Sequence, residues 1–184
     1  MCGMPKILDR LPIPTHDDLV SVRNETVRVR QTEIIVWVSV SVKSALGWNP
    51  ALPHFPAIID TGHTHNFSIQ EQQLVRWAGI RPERLQVLGH VRQAGQRIPL
   101  HAANVWLHHN LRGQQDLLRD EPPYLLKLPR GIAVHSATES YPRLPLVGLR
   151  AILSNRLHLA VDGERQQVTL RTPDWRTRLL RWLS

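Results

Sequence analysis

Cysteine is almost absent from this chain. Cys2 is the only thiol in 184 residues, so no intrachain disulfide and no cysteine-rich metal site can form. Lysine is scarce too, with 3 Lys against 20 Arg. No apolar run approaches the roughly 20 residues that span a bilayer. The start, Met1-Cys2-Gly3-Met4-Pro5-Lys6, has no apolar core of a secretory signal, so cytoplasmic residence and no membrane span are expected. The chain lacks G-x-S-x-G, which argues against a serine nucleophile. It also lacks G-x-x-x-x-G-K-[ST] and G-x-G-x-x-G, which removes the usual nucleotide-binding signatures.

What remains is ordinary globular composition, 42% apolar and 21% charged, which argues against disorder, collagen and coiled coil. A chain of this size buries roughly 70% of its unfolded surface and supports a core. The net charge is +8. Its arginines are scattered from Arg10 to Arg181 without a dense run. No helix-turn-helix, zinc finger or aromatic RNA-binding signature accompanies them, so a solvated basic surface is favoured over nucleic-acid binding.

Residues 1–31 read as an extended arm, because Pro5, Pro12 and Pro14 break any helix and no apolar period persists. Residues 32–42 are the clearest strand, with Ile34, Val36, Val38, Val40 and Val42 at period two. A second apolar run, Ala57-Ile58-Ile59, ends in Asp60-Thr61-Gly62. Residues 68–79 predict a helix, capped by Ser68 with Glu71 three residues on, and Leu74 and Trp77 on its buried side. Residues 85–91 and 97–107 predict a hairpin across Gln93-Ala94-Gly95-Gln96, and 157–170 a second across Asp162-Gly163. An apolar run, Leu146 to Leu153, leads into a short helix. Thr172 to Ser184 predicts a terminal amphipathic helix with Trp175, Leu179 and Trp182 on one face. The expected division is an arm (1–31), a strand-rich domain (32–171) and a C-terminal helix (172–184).

The segment that carries chemistry is Phe55-Pro56-Ala57-Ile58-Ile59-Asp60-Thr61-Gly62-His63-Thr64. An apolar strand delivers a carboxylate to its end, and a hydroxyl and a glycine follow. Glycine permits a tight turn and a close approach by another chain. The Thr61 hydroxyl can tie the turn by hydrogen bonding. Such a carboxylate would be held rigidly at the edge of a core.

This segment resembles the Asp-Thr-Gly active-site motif of aspartic proteases. A single motif is similar to the single-domain, retroviral-type (retropepsin-like) branch. Leu146-Val147-Gly148, 86 residues after Asp60, resembles the apolar-apolar-Gly element that closes a loop beneath the catalytic turn in that family. The stretch from Gly89, His90 and Val91 to Gly95 is similar to the flap hairpin that covers substrate. The helix between turn and flap is more like cellular and bacterial members than viral ones.

The resemblance implies an all-β fold, a closed acid-protease-like barrel with one inserted helix, and peptide-bond hydrolysis without metal or cofactor. The catalytic residues would be Asp60, Thr61 and Gly62. Two carboxylates about 3 Å apart cannot both ionise, so one acts as acid and the other as base. This chain supplies one, so the resemblance also implies a homodimer in which Asp60 faces its own copy. His63 departs from the small residue usual after the motif. Its imidazole, near the dyad and substrate groove, would favour ionised Asp60 if protonated, shifting the pH optimum or hindering catalysis. His90 and Arg92 are unexpectedly polar for a flap. Two other readings stand beside this one. Asp60, His63 and His65 invite a zinc hydrolase, with His101, His108 and His109 further on, though without HExxH spacing. The other is a non-catalytic dimeric binding module on the same fold.

Overall fold

The computed structural model describes residues 6–43, 47–93, 95–136 and 144–173. Among them, strands dominate and two helices are present. The chain opens with β1 (Lys6–Pro12) and the hairpin β2 (Asp18–Val22) and β3 (Glu25–Val29). These residues, read as an arm, belong to the packed body. Ile7, Leu8 and Leu11 are each 1% exposed, and β1 pairs antiparallel with β14 (Gln167–Arg171), itself the partner of β13 (His158–Asp162). Valines 20, 22, 27 and 29 of the hairpin are also buried. Their period is short and interrupted by turns, which is why no sustained pattern is legible along the chain.

The central strand is β4 (Ile34–Val42), between β5 (Phe55–Asp60) and β9 (Ala103–Leu107), antiparallel to both. Its alternating valines predicted one buried face, yet Ile35, Ser39 and Ser41 on the other face are buried too. The two serines tolerate this because each meets a polar ring atom. Ser39 Oγ and His108 Nε2 are hydrogen-bonded at 2.8 Å, and Trp106 Nε1 donates to Ser41 Oγ at 3.3 Å. A buried hydroxyl is tolerated only when so paired.

The remaining elements are β6 (Phe67–Gln70), α1 (Glu71–Ala78), β7 (Val87–Gln93), β8 (Gln96–His101), β10 (Tyr124–Leu126), β11 (Ile132–His135), β12 (Leu146–Gly148) and α2 (Leu149–Ser154). The helix expected over 68–79 starts only at Glu71. Phe67, Ser68 and Ile69 are fully buried and pair with β12 and β11, so sheet pairing overrides the capping pattern at Ser68. The helix start is instead tied by Gln73 Oε1, which accepts from the Gln70 N–H at 3.2 Å. Leu74 and Trp77 are buried as their spacing predicted. Gly79, at φ 70°, ends the helix in the left-handed conformation that favours glycine.

Nine strands form one sheet in the order β10-β9-β4-β5-β12-β6-β11-β8-β7. This corrects the closed barrel: among the described residues the two end strands do not pair. The strand at one end, β10, is too short to carry a closing ladder. β10 has three residues, and β7 leaves Val87 50% and Leu88 45% exposed. Of the C-terminal helix expected over 172–184, residues 174–184 lie outside the described residues.

Candidate active site

The site is built where the chain leaves the sheet and returns to it. β5 ends at Asp60, and the chain re-enters the same sheet at Phe67 as β6, two positions away. Between them lies β12, which runs parallel to β5 and antiparallel to β6. The connection 61–66 must therefore cross the end of β12. The register sets Leu146 opposite Ile58, Val147 opposite Ile59 and Gly148 opposite Asp60. Leu146 and Val147 are buried.

Gly148 lies directly beneath the crossing. Its N–H donates to the Asn66 carbonyl at 3.0 Å. A Cβ there would come within 2.0 Å of the His65 carbonyl oxygen and 2.8 Å of the His63 carbonyl oxygen. Gly148 has φ −83° and ψ 163°, which any residue adopts. Glycine is needed for close approach alone.

The turn itself is tied by the Gly62 N–H, which donates to Asp60 Oδ1 at 2.9 Å, and by the His63 N–H, which donates to the Asp60 carbonyl at 3.2 Å. The main chain holds the carboxylate, where the Thr61 hydroxyl was expected to help. Thr61 and Gly62 are exposed and Asp60 is half-buried.

His63 turns away from the role first considered for it. Its Nε2 is hydrogen-bonded to Ser68 Oγ at 2.6 Å. Burial, and secondarily the neighbouring His65, push its pKa down to about 4, against the smaller opposing pull of Asp60. The imidazole is neutral near pH 7 and supplies no cation to the carboxylate. His135 packs nearby, its ring 6.3 Å from that of His65, which is 5.2 Å from His63. Burial first, then His65 and His63, lower His135 to about 4. His135 is 70 residues from His65 and only the parallel β6–β11 pairing brings it here, so no local signal marks it.

No three His, Cys, Asp or Glu side chains among the described residues are placed to hold a metal ion. Asp60, His63 and His65 do not form a ligand set. The other histidines have separate structural roles. His101 is buried beside the Leu85 carbonyl, His108 meets Ser39, and His109 contacts the Lys6 carbonyl.

The hairpin of β7 and β8 stands over this region. Gly95 takes φ 79° next to its tip, and a register shift separates Val87 from Gly89. Gln93 Oε1 and His65 Nε2 are hydrogen-bonded at 3.0 Å, linking hairpin and crossing loop. His90 faces solvent and contacts Arg97 at 3.2 Å. Val91 and Arg92 line a cleft of about 190 Å³ with Thr64, His65, Asn66, Leu100, Arg130, Gly131 and Arg150. Arg92 stands out in the sequence by its polarity, whereas Asn66, Arg130 and Arg150 come from three separate segments and carry no local signal. Compared with known protein families and with curated proteins, the chain matches none of them.

Proposed function

We propose that this protein is an aspartic endopeptidase of the retropepsin-like kind, active as a homodimer. The observation that carries the reading is the crossing at Asp60. A carboxylate at the end of β5 is held by the main-chain N–H of Gly62. The chain after it passes over Gly148 of a parallel neighbour, at a distance only glycine allows. A second parallel pairing, β6 with β11, continues the same interlock. In this reading Leu146-Val147-Gly148 is the support beneath the catalytic turn.

The chemistry needs a second carboxylate, and a two-fold partner would supply Asp60 of the other copy. Exposure of Thr61 and Gly62 leaves the turn available to such a contact. One carboxyl of the pair keeps its proton and polarises the amide carbonyl. The other, ionised, takes a proton from water as that water attacks. Collapse of the tetrahedral intermediate returns a proton to the departing nitrogen. The pair titrates as a unit.

The test is digestion of a peptide library from acidic to neutral pH, run beside Asp60→Asn, with mass under native conditions measured in parallel. Cleavage by the wild type, loss by a factor of at least about 10³ in the variant and a dimeric mass are expected. Cleavage that survives Asp60→Asn refutes the catalytic assignment, and activity from a strict monomer refutes the shared pair. A dimer without hydrolysis at any pH would leave the binding-module reading in its place.

A further inference from the structure

The cleft beside the crossing loop is electrostatically one-sided. Three of its nine lining residues are arginines, Arg92, Arg130 and Arg150, and none is acidic. The ion pairs among the described residues use Lys6, Arg28, Arg76, His109, Arg119 and Arg165. None uses these three guanidinium groups. They come from the flap hairpin, from the turn before β11 and from the first turn of α2, so the fold gathers them.

Asn66 adds an independent observation. It lines the same cleft and is 2% exposed. Its Nδ2 and Oδ1 are both buried without a hydrogen-bond partner among the described residues. A buried amide with both ends unpaired is costly and rare in native structures. Its donor and acceptor match a carbonyl or carboxylate oxygen on one side and an N–H on the other, which is the edge of a peptide unit. Arginine forks match a carboxylate in two parallel hydrogen bonds. Val91 and Leu100 give the cleft apolar walls for a short aliphatic stem. Gly131 lets the backbone close in beneath, since a Cβ there would lie 2.1 Å from the His101 carbonyl oxygen.

We propose that this cleft binds a peptide carboxylate, with Asn66 pairing the ligand's amide edge and Arg92, Arg130 and Arg150 holding the anion. As a statement of substrate class it rests on the endopeptidase reading: the protein selects peptides with an acidic group beside the cleavage site. The carboxylate has two possible sources, an aspartate or glutamate side chain or a free C-terminus.

The experiment separates binding from catalysis by using the full chain with Asp60→Asn. Three probes are titrated: acetyl-Ala-Glu-Ala-Ala-amide, its Gln counterpart, and acetyl-Ala-Gln-Ala-Ala with a free C-terminus. Affinity and the NMR signal of the Asn66 side-chain amide are followed. At least one carboxylate probe is expected to bind about tenfold or more tighter than the neutral amide, shifting the Asn66 signal. The probe that does so identifies the source. Arg130→Gln with Arg150→Gln, both at exposed positions, should abolish the preference without changing thermal stability. Equal binding of all three probes, no binding, or a preference untouched by the arginine substitutions overturns the proposal. If the preference stands while the wild type cleaves nothing, the endopeptidase reading fails and the carboxylate site survives. If the wild type cleaves without regard to acidic residues, the reverse holds.

Discussion

Gly148→Ala tests the crossing on which the site depends. The added methyl would sit 2.0 Å from the His65 carbonyl oxygen and 2.8 Å from that of His63. Carbon–oxygen contacts normally lie at about 3.3–3.6 Å, so the loop must retreat by more than 1 Å. Both obstacles are main chain, so no rotamer change relieves them. Forced overpacking costs about 1–3 kcal/mol, and this case belongs at the upper end. Retreat of the loop also weakens the Gly148 N–H bond to the Asn66 carbonyl, a further loss of about 1 kcal/mol. Reduced freedom of the unfolded chain returns about 0.5 kcal/mol, because the native φ and ψ suit alanine. The balance is about 3 kcal/mol. For a chain of this size that lowers the thermal midpoint by about 6–12 °C. The assay is thermal unfolding followed by circular dichroism, with Gly163→Ala as control. Nothing lies within 4 Å of a Cβ at Gly163 and its φ is not left-handed, so the control should leave the midpoint near wild type. A Gly148→Ala midpoint within about 2 °C of wild type would mean that residues 61–66 do not cross over β12, and the account of how Asp60 is held would fall with it.

Three histidines set an acid limit on stability. Burial holds His63, His108 and His135 at about 4 in the folded protein, below the ordinary 6.5. Between those values the unfolded chain binds more protons, so stability is fully present above the ordinary value and falls as pH drops through 6.5 towards 4. A fully buried ring would contribute about 3 kcal/mol. Discounted for partial solvent contact, about 1 kcal/mol per ring is expected. Urea unfolding at pH 7 and pH 4.5 should show the loss, and equal midpoints would refute it. Peptide cleavage should accordingly fail on the acid side through unfolding, which a matching pH profile of activity and near-ultraviolet circular dichroism would establish. Asn155→Ala should cost about 2 kcal/mol. The buried amide accepts from the Lys127 N–H at 2.7 Å and donates to the Lys127 and Ala151 carbonyls at 3.1 and 2.8 Å. A thermal midpoint unchanged from wild type would show that water replaces those bonds.

Much of the local structure was legible in the chain. The valine alternation of 34–42 marked β4, the apolar run before Asp60 marked β5, and the Gln93–Gln96 connection marked the β7–β8 hairpin, but the arm expected over 97–107 divides at Ala102 into β8, paired with β7 and β11, and β9, paired with β4 and β10. Each depends on neighbours within a few residues. The capping pattern at Ser68 misled for the same reason: its signal is local, while the pairing of Phe67–Gln70 with β11 and β12 is not. The burial of Ser39 was equally hidden, because its partner His108 lies 69 residues away.

By itself the sequence determined a strand-rich chain without intrachain disulfides, an acidic turn at the end of an apolar strand, and a glycine 88 residues after Asp60 that suits a close approach. Only the tertiary structure decided that this glycine lies under that turn, that the nine-stranded sheet stays open among the described residues, and that Asn66 shares a cleft with three arginines. The physical reason is range. Propensity and periodicity act between residues a few positions apart. Parallel pairing joins β5 to β12 across 88 residues and β6 to β11 across 65 residues, and the burial gained by the whole core selects it.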